Sequence, residues 1–140
     1  MITYRLGNEL ELDAVIELYR ASTLGERRPI DDRECMRRML ANANLVVTAW
    51  ESEVMVGIAR SLTDFTYATY LSDLAVRESH QRRGIGTELI RRTQRECGPE
   101  CSLILLSAPK AVEYYPRIGM EQHPHAYWLP KGKKARREEP

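Results

Sequence analysis

The sequence predicts an α/β protein: a central mixed, mostly antiparallel sheet flanked by helices, in the order β-α-α-β-β-β-α-β-α-β-β. Three observations carry this. Residues 45–76 hold three strand-like segments in a row, joined by short turns, which is the pattern of an antiparallel meander. Residues 67–107 then read strand, glycine-containing turn, helix and apolar run, the pattern of a helical crossover between parallel strands. Ahead of both, residues 8–41 carry two stretches with apolar residues at helical spacing.

The elements follow in order. Met1 to Arg5, with Ile2 and Tyr4 alternating with Thr3 and Arg5, reads as a first strand. Asn8 with Glu11 three residues on fits an N-cap and capping-box partner for a helix to about Ala21, with Leu12, Val15, Ile16 and Tyr19 on one face. After a polar loop from Ser22 to Ile30, Asp31 or Asp32 can cap a second helix to about Ala41, with Met36, Met39 and Leu40 inward. Leu45 to Glu51, Val54 to Thr63 and Tyr67 to Val76 are the meander strands. Gly57, inside the second of them, predicts a bulge or a close backbone approach. A helix from about Gly84 to Cys97 ends at Gly98-Pro99, and Leu103 to Leu106 reads as a strand buried on both faces. Ala108 to about Ile118 is helical in pattern with Gly119 as its cap, and Met120 to Gln122 and Tyr127 to Leu129 read as two short final strands.

Length and composition fit one domain over residues 1–130, with 43% hydrophobic residues for one core. Net charge is +1, so nothing marks the whole chain as a partner for nucleic acid. The segment 131–140 carries five Lys/Arg and two Glu, reading as a solvated, disordered basic tail or as an arm for an acidic partner. Three cysteines, Cys35, Cys97 and Cys101, without a C-x-x-C spacing, argue against a disulfide framework or a zinc site. His123 and His125 have no Cys or carboxylate at ligand spacing, so no metal is expected. With no charged-then-apolar leader and no 18-residue apolar run, a soluble, cytoplasmic protein without membrane contact is expected. His80 is expected at the surface.

The stretch Gln81-Arg82-Arg83-Gly84-Ile85-Gly86-Thr87 joins a strand to a helix. Unpaired N–H groups at a helix N-terminus, two glycines that admit a ligand close to the backbone, and two arginines make a site for phosphate or pyrophosphate. It is not a Walker loop. It is also a poor dinucleotide fingerprint, because Leu89 stands where a third glycine belongs. Taken alone, it is equally a plain strand–helix turn.

The string Gln81-x-x-Gly84-x-Gly86, after a strand ending Leu74-Ala75-Val76, resembles the acetyl-CoA-binding motif Q/R-x-x-G-x-G/A of the GNAT superfamily of N-acetyltransferases. A second segment, Ala111-Val112-Glu113-Tyr114-Tyr115-Pro116-Arg117-Ile118-Gly119-Met120, resembles that family's A-x-x-F/Y-Y-x-x-x-G-F, with Met120 in place of Phe and Ala108 where many relatives carry Asn. The resemblance covers about residues 1–129. It implies acetyl-CoA as cosubstrate, held by Leu74, Ala75, Val76, Gln81, Arg82, Arg83, Gly84, Ile85, Gly86 and Thr87. It implies a backbone N–H at Leu74 or its neighbour that polarises the thioester carbonyl, with direct amine attack through a tetrahedral intermediate. Tyr115 falls on the tyrosine that often acts as general acid; paired tyrosines at a helix end are otherwise packing residues with a polar tip. In the family, the region that here includes Tyr19, Ser22, Thr23, Leu24 and Glu26 forms one wall of the acceptor pocket, and homodimers through the late strands are common among relatives.

The amine must lose a proton, since an alkylammonium has a pKa of about 10.4. The family's usual base positions hold Tyr70 and Ser72, neither a good base. Asp73 alternates away from them, unless a bulge resets the register, and Asp64 lies in the preceding turn. The expectation is deprotonation through ordered water with Asp64 or Asp73 helping electrostatically. The expected acceptor is a primary amine of a small molecule or protein. A non-catalytic acyl-CoA-binding sensor of the same fold, and a phosphate-ligand module unrelated to the family, are the competing readings.

Overall fold

The computed structural model describes residues 1–138. In chain order it contains β1 (Ile2–Leu6), α1 (Leu12–Arg20), a 3-10 turn (Thr23–Arg27), α2 (Arg33–Ala41), β2 (Leu45–Glu51), β3 (Val54–Thr63) and β4 (Ala68–Val76). A 3-10 turn (Glu78–His80), α3 (Ile85–Cys97), β5 (Ser102–Ile104), a 3-10 turn (Pro109–Ala111) and α4 (Tyr114–Arg117) follow. Two compact units divide the chain, Met1–Leu106 and Ser107–Pro140. The boundary falls inside the single domain expected over 1–130.

The sheet of the first unit runs β1-β2-β3-β4-β5, antiparallel throughout except for the parallel pair β4–β5. Its two faces are covered by different helices. Val15, Ile16, Leu18 and Tyr19 of α1 and Met36 and Leu40 of α2 are buried with Val46, Ile58 and Ala75 of the sheet. That is the expected apolar stripe of each amphipathic helix. On the other face α3 lies close. A Cβ built on Gly57 would stand 3.0 Å from Leu89 Cδ1 and 3.2 Å from Ile85 Cγ2, so the glycine is needed for the approach. A bulge sits beside it as well: Ala49 pairs with Gly57 and Trp50 with Met55, leaving Val56 extra.

Several expectations are corrected. Asn8 does not cap α1, which starts at Leu12 with Glu11 at the N-cap. Its side-chain amide instead donates to the carbonyls of Leu40, Ala41 and Ala43, closing the C-terminal end of α2. Asp32, one of the two caps predicted for α2, does cap it, accepting from the Cys35 N–H at 3.0 Å. The run Leu103 to Leu106 is not buried on both faces: Ile104 is 54% and Leu106 52% exposed. β5 lies at the sheet edge and is only three residues long. The three cysteines are free thiols, and burial pushes the Cys97 thiol up.

In the second unit the expected helix from Ala108 to Ile118 is broken into the turn Pro109–Ala111 and the single turn α4, because each proline brings no N–H to an i−4 carbonyl. Gly119, at φ +99°, caps α4 as predicted. Its N–H bonds the Pro116 carbonyl and the Met120 N–H bonds the Tyr115 carbonyl, a Schellman pair. No strand forms at 120–122 or 127–129. Pro124 and Pro130 stand just beyond the two segments, and neither segment is long enough to hold a ladder by itself. Residues 131–138 of the expected tail are exposed, and the tail's last two residues lie outside the described ones. Among the described residues, no helix is long and apolar enough to cross a membrane.

Candidate active site

β4 is the strand on which the site is built. Over Ala68, Thr69 and Tyr70 it pairs with Ser102, Leu103 and Ile104 of β5. Among the described residues, no strand pairs with this side of β4 beyond Tyr70, so the sheet opens between β4 and β5.

What β4 presents to that opening follows from its register with β3. Arg60 pairs with Asp73 and Ser61 with Leu71, so Ser72 is an extra residue, a bulge. The Arg77 N–H donates to the Val56 carbonyl of β3 at 2.8 Å. By antiparallel alternation, Asp73 and Ala75 also turn their main-chain groups to β3, whereas Ser72, Leu74 and Val76 turn theirs to the opening. At the other end, the Tyr67 carbonyl accepts from Ser102 of β5 at 2.9 Å, which by alternation puts 67, 69 and 71 on the opening side. The bulge therefore changes the parity: without it, Asp73 and Ala75 would face outward. The protein closes two of the exposed carbonyls itself. Arg28 Nη2 donates to the Ser72 carbonyl at 2.8 Å, and Gln81 Nε2 to the Val76 carbonyl at 3.0 Å. The N–H groups of Leu74 and Val76 lie between them.

The strand runs into the predicted loop. Glu78–His80 makes a tight turn, tied to the end of α1 by the Glu78 N–H on the Ala21 carbonyl at 3.0 Å. Arg77 grips Glu17 of α1 through both terminal nitrogens at 2.7 Å. Arg82 and Gly84 then adopt left-handed φ of +64° and +79°, which costs Gly84 nothing and strains Arg82. The first helical bond of α3 is Glu88 N–H to the Gly84 carbonyl at 3.0 Å. The N–H groups of Gly84, Ile85 and Gly86 precede it, with no carbonyl one turn back, and form the positive end of α3. His80 is not simply at the surface, as expected. Its Nε2 meets Glu51 at 3.0 Å, and Arg83 reaches the same carboxylate at 3.8 Å, so the loop is fastened to the end of β2.

Behind the opening lies a cluster that the sequence did not reveal. Asp73 is 0% exposed. Its carboxylate accepts from Tyr19 Oη, Arg28 Nε and Arg60 Nε, each at 2.6 Å, and from Ser72 Oγ at 3.3 Å. Arg60 also donates to Ser72 Oγ at 2.9 Å. Desolvation acts to raise the Asp73 pKa, but the hydrogen bonds and charges of Arg60, Tyr19 and Arg28 outweigh it, and the carboxyl sits below its usual range. Burial and the Asp73 charge push the Tyr19 phenol far up, so it stays a donor. A signal did exist: an aspartate at the same strand parity as the apolar Leu71 and Ala75 demands a buried cation, and Arg60 stands opposite it in register.

The other predicted residues divide. Ala75 is not at the opening, because its side chain is in the core and its main chain serves β3. Asp64 does not join the group. It caps the β3–β4 turn, accepting from the N–H groups of Thr66, Tyr67 and Ala68, which hold its carboxyl below the ordinary value. From there Leu74 is roughly 20 Å along the strand. Tyr19, Ser22 and Leu24 are buried and offer no wall to an acceptor, whereas Thr23 and Glu26 are exposed. Ile85 packs toward Gly57, and its N–H alone belongs to the site. Tyr115 lies in α4 of the second unit, half-buried, its ring edge-on to Tyr114 at 5.1 Å. A cleft of about 470 Å³ adjoins the apex of the opening, lined by Asn42, Leu62, Asp64, Tyr70 and Ile104 among others.

An open edge of main-chain N–H groups that runs into the N-terminus of a helix accepts an extended ligand with carbonyl oxygens along its length and phosphate at one end. Comparison with known proteins shows what the chain as a whole is similar to. A GNAT-family acetyltransferase of Streptococcus pneumoniae TIGR4 is 24% identical, with 94% of this chain and 99% of that one covered at a TM-score of 0.75. The aminoglycoside N-acetyltransferase AAC(6')-Iy, solved with CoA, is 19% identical over 94% of this chain and 95% of that one, at 0.72. An acetyltransferase of Trypanosoma brucei is 22% identical over 93% and 99%, at 0.66. These likenesses are of fold. No curated protein matches the chain. The model of the acetyltransferase (GNAT) domain matches residues 22–127, a span that holds β2 to β5, the bulge, the loop and α4, and on that match the chain belongs to the GNAT acetyltransferase family.

Proposed function

We propose that this protein transfers the acetyl group of acetyl-CoA to a primary amine of a small molecule or protein. The observation that carries the reading is the pair of N–H groups, Leu74 and Val76, on the open side of β4, leading into the N-terminus of α3. The residues present fit the cosubstrate. The N–H groups of Gly84, Ile85 and Gly86 and the charges of Arg82 and Arg83 suit a pyrophosphate, and the strand edge suits the amides of an extended arm. The family resemblance and a neighbour solved with CoA support the same choice.

The chain's groups then divide the work. The Leu74 N–H donates to the thioester oxygen as negative charge grows there, a one-donor oxyanion hole. The amine attacks the carbonyl carbon, and the C–S bond breaks as the tetrahedral adduct collapses. The family resemblance, through the segment 111–120, assigns to Tyr115 the proton for the departing sulfur. The amine's proton leaves through water rather than to Asp73, whose four lone-pair directions are already taken by Tyr19, Arg28, Arg60 and Ser72. Asp73 acts by holding these partners in place.

Release of free thiol from acetyl-CoA in the presence of a panel of primary amines tests this reading. Turnover is expected with at least one amine, and Tyr115→Phe should lower kcat by about a hundredfold, within the range for general acid catalysis. Asp73's full coordination leaves the site short of a base, which favours a non-catalytic acyl-CoA sensor as the second reading. Binding of acetyl-CoA without turnover on any amine would select it.

A further inference from the structure

We propose that Arg28 is a positioning residue for acyl transfer: it holds the β4 bulge in the form that turns the Leu74 N–H toward the thioester oxygen. The proposal rests on the reading of the open edge of β4 as the thioester site.

A bulged residue has no cross-strand partner to fix its peptide units, and Ser72 is such a residue. The direction of the Leu74 N–H depends on the two peptide units before it. Rotation of either would swing that N–H away from the opening. Arg28 holds two consecutive residues there with one planar group. Its Nη2 donates to the Ser72 carbonyl at 2.8 Å and its Nε to Asp73 Oδ1 at 2.6 Å. Its Nη1 turns back to the Arg27 carbonyl at 2.8 Å, so the guanidinium is held on its own side as well. A rigid fork can do this where a point charge cannot. Without it, the Ser72 carbonyl would face the opening unpaired and compete for any donor that enters.

Arg28 reaches the bulge from a loop, not from the sheet. The turn Thr23–Arg27 is pressed on the end of α1, where a Cβ on Gly25 would meet the Tyr19 carbonyl oxygen at 2.7 Å. Tyr19 itself bonds Asp73, so the turn and the bulge share one anchor. Arg60 holds Asp73 from within the sheet and is buried, so its removal reports mainly on folding. The Arg28 side chain is 18% exposed and enters from outside the sheet, so no strand pairing runs through it.

The test compares wild type, Arg28→Ala and Arg28→Lys by three measurements. These are the carbonyl stretch of bound acetyl-CoA labelled with carbon-13 at the carbonyl, the dissociation constant of CoA without the acetyl group, and kcat against KM in thiol release. In wild type the stretch should fall below that of free acetyl-CoA. In Arg28→Ala it should return toward the free value. Affinity for CoA should stay within about twofold, since the loop is untouched, and kcat should fall by about tenfold to a hundredfold with little change in KM, the scale expected when an oxyanion donor is misplaced. Arg28→Lys, which keeps the charge but not the fork, should stay folded and lie between the two. An unchanged stretch and kcat in both variants would overturn the proposal. So would a loss of kcat matched by an equal loss of CoA affinity, which marks a general structural role. Wild type that fails to bind acetyl-CoA would instead sink the thioester reading and the proposal with it, before any substitution is made.

Discussion

A carboxylate in the middle of a buried strand has to be matched by cations, and Asp73 is matched by two, with a phenol and a hydroxyl completing its shell. Removing one partner of such a group leaves the others uncompensated. Asp73→Asn should therefore cost about 3–5 kcal/mol of stability at neutral pH, read from denaturant midpoints. The linkage has a definite sign. The folded-state pKa of Asp73 lies below its unfolded value of about 3.9, so its contribution is fully present above that value and is lost as pH falls through the folded one. Stability measured from pH 6 downward should show this acid limb in wild type, and a shallower one in Asp73→Asn. An equal acid limb in the two proteins would mean that other carboxylates carry it. At the same scale, charge reversal at Arg82 and Arg83 should weaken acetyl-CoA binding by more than tenfold and leave amine KM nearly unchanged. Equal loss of both would mean that the loop holds something else.

Elements place these residues, and here the sequence was readable to different depths. The loop was legible because its requirements are local: Gly84 takes a φ that other residues resist, and the helix after it has a clear apolar stripe. Gly57 was legible as a close approach, and Gly57→Ala should push α3 from the sheet and cost about 1–3 kcal/mol, measured by thermal or denaturant unfolding. Full stability in that variant would mean that Leu89 and Ile85 can yield. The bulge at Ser72 enters the sequence only as a condition on Asp73, because a one-residue shift in register leaves no mark on a sequence whose strand alternates cleanly on both sides. Arg28 is not legible in the sequence for the same kind of reason. It lies 45 residues from Asp73, in a polar loop beside a second arginine, Arg27, and only the packing of Thr23–Arg27 against α1 selects it. The two final strands that the pattern predicts do not form. Short apolar runs such as Tyr127 to Leu129 satisfy a strand pattern without the partner that would make one.

Across the whole molecule, the first unit, Met1–Leu106, carries the sheet, the open edge of β4 and the loop with its arginines. Tyr115 belongs to the second. The described part of the 131–140 segment is exposed and carries no regular element, so deletion of residues 131–140 should leave acetyl-CoA affinity within about twofold. A larger loss would assign the basic segment to the anionic cosubstrate. The central claim is that acetyl-CoA lies along β4 with its phosphates at α3, and amide hydrogen exchange with and without acetyl-CoA tests it most directly. Protection is expected at Leu74, Val76 and residues 82–86, with Thr66 to Ala68 unchanged. Protection centred on the Asp64 turn, or none at Leu74 and Val76 despite binding, would contradict the account.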